Sequence, residues 1–278
     1  MADTVVRKPI PKTGELLPAI GLGTWQTFDV GVNTAAREPL KRVLQEFVRA
    51  GGTVIDSSPM YGRSESVVGD LAVELGVHQQ LFLATKVWTS GREAGVRQME
   101  ESFRRLRTRR MDLMQVHNLV DYRTHLATLR GWKEEGKIRY IGVTHYTASA
   151  HNELARVVAG EALDFIQLNY SLAEREAENR LLPLAAEKRL AVLVNRPFAE
   201  GQLFRRARGK PLPSWAKEIG CASWAQFFLK FIISHPAVTC AIPATSRVEH
   251  LADNMRAALD PVPDAKTRER MARYFAGL

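Results

Sequence analysis

Thr53-Val54-Ile55-Asp56 and Leu81-Phe82-Leu83-Ala84-Thr85-Lys86 are two short apolar runs, and each stops at an ionisable residue. Between them, residues 65–75 carry apolar side chains near the helical period of 3.6. Runs this continuous suit strands of a parallel sheet covered on both faces, which have no solvent side to alternate with. The two runs and the segment between them read as one βα unit and its next strand.

The unit recurs in both directions. Residues 18–24 precede it, and residues 112–117, 138–144, 164–169, 191–196 and 239–243 follow, which brings the strands to eight. Helical patterns lie between them, among them 38–50, 96–106 and 222–233. The run ends Gly23, Asp56, Lys86, His117, Thr144, Asn169, Arg196 and Pro243 are spaced by 33, 30, 31, 27, 25, 27 and 47 residues. One crossover needs about 30 residues, and eight of them close a (β/α)8 TIM barrel of about 250. The competing doubly wound sheet carries G-x-G-x-x-G after its first strand. Here that strand ends Gly21-Leu22-Gly23-Thr24-Trp25, and no third glycine opens a helix. An α/β barrel in a single domain, residues 1–278, is expected. The spacing of 47 predicts a long loop after strand seven, on the rim where barrel enzymes build their sites, and it reads as a cover over a ligand. Residues 7–17, centred on Thr13-Gly14, predict a hairpin at the barrel bottom, and a helix ends the chain.

Composition narrows the class. Hydrophobic residues make up 45% and charged ones 25% of the 278 residues, which excludes a disordered or fibrous chain. No window approaches the roughly 18 unbroken apolar residues of a membrane span. The polar, proline-containing start, 1–12, lacks the apolar core of a signal peptide, so a cytoplasmic monomer is expected; an export signal already removed would leave no trace. Cys221 and Cys240 are too few for a disulfide framework or a cysteine zinc site, and no metal is expected. The net charge is +9, but its densest run, Arg104, Arg105, Arg107, Arg109 and Arg110, closes the helical segment 96–106. Arginines there favour the carbonyl end of the helix dipole and face water, so neither nucleic acid nor a membrane surface is the expected partner.

The chemistry lies at the strand ends. Asp56, Lys86 and His117 terminate three consecutive strands, and neighbouring strands lie about 4.8 Å apart. Tyr61 follows Asp56 within a short turn that brings its phenol back over the same rim. A phenol with a pKa of about 10 is a poor acid at neutral pH. A neighbouring ammonium lowers that value, and an Asp beside the Lys holds it charged. His117 is placed to hydrogen-bond a carbonyl oxygen, so the set suits protonation of an oxygen becoming an alkoxide.

With these residues in view, the chain resembles the aldo-keto reductases, barrel enzymes that use NADPH to reduce aldehydes and ketones. The resemblance rests on Gly52-Thr53-Val54-Ile55-Asp56-Ser57-Ser58 with Tyr61-Gly62 and Glu65. Asp112-Leu113-Met114-Gln115-Val116-His117 and Gly136-Lys137-Ile138-Arg139-Tyr140-Ile141-Gly142-Val143 add to it. It implies a catalytic tetrad of Asp56, Tyr61, Lys86 and His117, with Tyr61 the general acid and its pKa depressed by Lys86 and Asp56. It also implies NADP(H), with NAD(H) possible, and a small carbonyl substrate. Gly23, Thr24, Trp25 and Asp56 would line the nicotinamide end, and Thr144, His145, Gln167 and Asn169 would hold its amide. Strand seven departs from the family pattern: Asn195, Arg196, Pro197 and Phe198 stand where many members have a stacking Tyr. Glu200, Gly201 and Leu203 resemble the pyrophosphate-covering loop. After strand eight come Ile242, Ala244, Thr245, Ser246, Arg247, His250 and Asn254. Ala244 and His250 replace the Lys and Arg that often touch the 2′-phosphate, leaving Ser246 and Arg247 to do so. Trp25, Met60, Trp88, Asn118, Leu119 and Tyr146 would ring an apolar pocket. Two alternatives remain at this point: a Schiff-base aldolase using Lys86, and a nicotinamide-binding regulatory subunit like the potassium-channel β subunits.

Overall fold

The computed structural model describes residues 5–278; the first four residues of the polar start lie outside it. A hairpin of β1 (Arg7–Pro9) and β2 (Leu16–Pro18) comes first, antiparallel, with Arg7 opposite Pro18. Eight parallel strands follow in sequence order: β3 (Leu22–Gly23), β4 (Val54–Asp56), β5 (Phe82–Val87), β6 (Met111–His117), β7 (Ile138–Thr144), β8 (Phe165–Asn169), β9 (Ala191–Asn195) and β10 (Cys240–Ala241). The helices between them are α1 (Thr34–Arg49), α2 (Ser64–Glu74), α3 (Arg92–Arg105), α4 (Tyr122–Glu134), α5 (His151–Gly160), α6 (Leu181–Glu187), α7 (Gln202–Ala207) and α8 (Trp224–Ile233). After β10 come α9 (Val248–Arg256) and α10 (Ala265–Ala276).

The sheet closes on itself. Parallel bridges join Ile20 to Ala241 and Gly23 to Ala244. Gly21 N–H donates to Ala241 O at 2.8 Å, and Ala241 N–H to Ala19 O at 2.9 Å. A Cβ at Gly23 would stand 2.7 Å from Ile242 O, so this glycine serves the seam and not a dinucleotide turn.

The hairpin plugs the barrel bottom as expected. Ile10 and Leu17 join an interior cluster with Val54, Phe82, Leu113, Tyr140, Phe165 and Leu193. Outside it, Tyr140 Oη donates to Glu15 at 2.6 Å, and Arg139 links Glu15 to Asp112. The arginine run behaves as read. Arg104 and Arg105 pair with Glu101, and Arg107 with Asp70 at 2.8 Å.

The insertion after β9 differs from a simple cover. Only its first residues, 196–201, stay on the rim. The remainder folds outward, with Trp215 against Phe227 and Tyr274, and Phe204 against Phe228. Its aromatic residues explain this, because they bury more surface against α8 and α10 than a free loop could.

Candidate active site

The four expected catalytic residues converge. Alternation along the strands points Asp56 and Lys86 into the barrel mouth, one at the end of β4 and the other near the end of β5. Lys86 Nζ, fully buried, donates to Asp56 Oδ2 at 2.7 Å and to Ser57 O at 2.6 Å. A turn closed by Tyr61 N–H on Ser58 O returns the phenol over the pair. The Tyr61 ring centre lies 4.9 Å from Lys86 Nζ and 5.8 Å, edge-on, from the His117 ring.

Burial sets the protonation states. It pushes the Tyr61 pKa up; Lys86 pulls the value back, and Asp56 pushes it up again, so it ends above its ordinary position. The depressed tyrosine pKa expected from sequence is therefore corrected: desolvation outweighs the ammonium, and the phenol keeps its proton. For Lys86, burial favours the neutral amine, but the charge of Asp56 and the hydrogen bonds that Asp56 and Tyr61 offer more than offset it, and the pKa is raised. His117 is driven down to about 2 by burial, Lys86 and His145, and is neutral.

Two buried residues missed in the sequence complete this layer. Asp56 Oδ1 accepts from Gln167 Nε2 at 2.8 Å and from Gln115 Nε2 at 3.3 Å. Ser58 Oγ lies 3.0 Å from His117 Nδ1. For Gln115 the signal was the strand period of two, since it lies two residues before His117 on β6; Ser58 lies in the turn after β4, where no such period applies.

Residues expected to hold a nicotinamide are close together, but most are already engaged. Thr24 Oγ1 donates to Asp56 O at 3.0 Å. Thr144 Oγ1 donates to Gln167 Oε1 at 3.0 Å. The Asn169 amide is taken by His151 at 2.9 Å and Glu174 at 3.0 Å. Asn195 Nδ2 donates to His145 O at 3.2 Å, while its Oδ1 is buried without a partner. This orphaned buried acceptor fits a carboxamide N–H. Arg196 adopts a φ of +48°, and its guanidinium donates to Tyr146 O at 2.8 Å and sits beside Glu174 and Glu200.

Further round, Pro197 and Gly201 remain in the rim loop, and Phe198 packs on Phe204 at 4.9 Å. Leu203 and Ile242 are buried in apolar clusters, so they support the loop and the barrel wall and present no side chain to a ligand. Ala244 and Ser246 are exposed beside buried Thr245, Arg247 caps α9, His250 is exposed on that helix and Asn254 is buried on it. A cleft of ≈ 440 Å³ between α1 and α9 is lined by Ser246 and Arg247 together with Arg42 and Glu38. Arg42 was also missed, because an exposed helix arginine carries no sequence signal for a neighbour so far along the chain.

Trp25, Met60, Trp88 and Tyr146, expected to ring the substrate, are half of the large apolar side chains left exposed among the described residues. Trp25 lies 6.5 Å from Tyr61, and Trp88 6.5 Å from His117. Leu119 instead joins the core, and Asn118 turns its Oδ1 inward without a partner. The rim also collects backbone strain. Gln26, Asn118, Leu119, Asp121, Arg196, Ala199 and Glu200 all have positive φ, the kind of strain that surrounding structure must hold in place.

The model of the Aldo/keto reductase family matches residues 19–269. A methylglyoxal reductase of Escherichia coli, YeaE, is 31% identical over 258 residues, covering 89% of this chain and 88% of that protein. An NADH-specific methylglyoxal reductase of the same organism is 31% identical over 228 residues, covering 70% of this chain and 68% of its own length. An aldo-keto reductase from Klebsiella pneumoniae, solved in complex with NADPH, superposes with a TM-score of 0.80 at 29% identity, over 99% of this chain and 96% of that one.

Proposed function

The chain belongs to the aldo/keto reductase family, and from that premise we propose that it reduces the carbonyl of small aldehydes or ketones with NADP(H), Tyr61 serving as general acid. The observation that carries this reading is the buried Lys86–Asp56 pair beneath a Tyr61 that retains its proton.

When bound, the cofactor supplies the hydride. Asn195 would hold its carboxamide, Arg196 would sit near the pyrophosphate, and Ser246 and Arg247 would meet the 2′-phosphate with Arg42. Arg42 and Arg247 each approach a glutamate, Glu38 and Glu249, through the Nε edge, which leaves both guanidinium forks for an anion.

The protein's own residues handle the proton. Burial keeps it on Tyr61 until a stronger base forms, and the alkoxide is that base. Lys86 then stabilises the phenolate left behind, inside a water-poor mouth where such charges interact strongly. Asp56 and Ser57 O fix the ammonium, and Gln115 and Gln167 fix Asp56 in turn. Neutral His117 offers a hydrogen bond to the carbonyl oxygen. A Schiff-base role for Lys86 is disfavoured, because its raised pKa and its two acceptors hold it as an ammonium without a free lone pair.

The aromatic ring of Trp25, Trp88 and Tyr146 favours aromatic or apolar carbonyl compounds over very small polar ones. The test is loss of reduced-nicotinamide absorbance with NADPH or NADH against aldehydes, ketones, quinones and methylglyoxal. Turnover with NADPH on aromatic aldehydes is expected. No turnover with any of them, despite tight cofactor binding, would replace the enzyme reading with a regulatory one.

A further inference from the structure

We infer that Ser58 is a positioning residue that sets the tautomer of His117: its hydroxyl donates to Nδ1, so the ring carries its proton on Nε2 and presents that N–H to the substrate oxygen.

A neutral imidazole is a donor at one nitrogen and an acceptor at the other, and only the donor end can assist a carbonyl. His117 Nδ1 has one neighbour, Ser58 Oγ at 3.0 Å, and Nε2 has no partner among the described residues. Distance alone does not say which atom of the Ser58–His117 contact donates. The surroundings of the hydroxyl do. Ser58 is fully buried, and its oxygen already accepts from Met60 N–H at 3.4 Å. Among the described residues no other acceptor lies within reach of its hydrogen. If Nδ1–H donated to Oγ, the hydroxyl hydrogen would be buried with nothing to bond, and an unmade buried hydrogen bond costs more than a made one gains. If the hydroxyl donates to Nδ1, every group is satisfied and the proton is left at Nε2.

The charges around the ring agree. Lys86, beneath Tyr61, and His145 both disfavour an imidazolium, and the ring is flanked by Tyr61, edge-on, and by Trp88, tilted. Asp56 faces Lys86 and the two glutamines, not His117. The second imidazole of the rim is set in the same sense by the backbone. His145 Nδ1 accepts from Tyr146 N–H at 3.0 Å and Thr147 N–H at 3.3 Å, which leaves its proton on Nε2.

This inference rests on the carbonyl-reduction reading for its consequence, but its test does not. Long-range proton–nitrogen spectra of the full chain, 15N-labelled at histidine and with His117 assigned by its loss in His117→Asn, report the tautomer directly. The wild type is expected to show an Nε2–H ring with a hydrogen-bonded, unprotonated Nδ1. In Ser58→Ala the Nδ1 signal should lose that hydrogen bond, and an Nδ1–H population should appear. The kcat/KM should fall by about threefold to tenfold, with NADPH affinity unchanged and activity recovered in Ser58→Thr. A wild-type ring protonated on Nδ1, or a His117 spectrum unchanged in Ser58→Ala, would overturn the assignment. Because the spectra need no substrate, they decide the tautomer whatever the turnover assay returns.

Discussion

The two ends of the barrel are written by the same strands, one end apolar and satisfied, the other polar and strained. At the bottom, Phe82, Tyr140 and Phe165 fill the interior, with ring centres 5.4 to 6.0 Å apart, and Ile10 and Leu17 close it. A few residues further along the same strands, the interior positions are Lys86, Thr144 and Gln167, with Asp56 and Gln115 beside them. Unpartnered buried atoms also gather at the mouth, on Gln115, Asn118 and Asn195. The bottom is where the barrel stores stability. The mouth gives some of that up to hold charge in a water-poor place.

This contrast can be broken residue by residue. Lys86→Met should have the largest effect. It leaves Asp56 buried without its counter-ion, which costs about 3–5 kcal/mol of stability, and it removes the charge that supports the phenolate. Denaturant unfolding and steady-state kinetics should both move, and a variant as stable as wild type would argue against the buried pair. Phe165→Ala, at the opposite end, should cost about 3–5 kcal/mol and lower Tm, while kcat per folded molecule stays unchanged. A loss of kcat there would show that the two ends are not independent.

Acid should act through the mouth. His117 has its pKa pushed down to about 2 in the folded chain, against about 6.5 when unfolded. As pH falls below that unfolded value the unfolded chain takes up the proton first. The stability linked to neutral His117 is therefore intact above about pH 6.5 and declines below it, by about 1.4 kcal/mol per unit. Unfolding free energies for His117→Asn should fall less steeply between pH 6.5 and 5, and identical slopes would contradict the buried neutral ring. The smallest effect is expected at the cleft between α1 and α9. Arg247→Ala should weaken NADPH about threefold to tenfold and leave NADH unchanged in fluorescence titrations. Equal losses for both cofactors would remove the 2′-phosphate role.

Much of this was legible in the sequence, because strand ends at near-constant spacing fix both the barrel and the rim that carries Asp56, Lys86 and His117. The hairpin, with Thr13-Gly14 between its strands, was equally readable. What escaped reading depends on a balance or on distance. The Tyr61 pKa turns on how far burial exceeds the pull of Lys86, and residue types alone do not give that difference. Gln115 looked like part of a strand, and only the register beside Lys86 turns it toward Asp56. Arg42 meets Arg247 across a closed barrel seam. The loop after β9 was the right place but the wrong shape, since its aromatics favour packing outward over lying across the mouth.

The central claim, that a buried ammonium beneath Tyr61 makes this rim a proton donor to a reduced carbonyl, is tested most directly by Tyr61→Phe, measured for NADPH affinity and for kcat/KM on an aromatic aldehyde. The account predicts unchanged affinity with kcat/KM lowered by about 10²- to 10⁴-fold. Turnover preserved in Tyr61→Phe would contradict it.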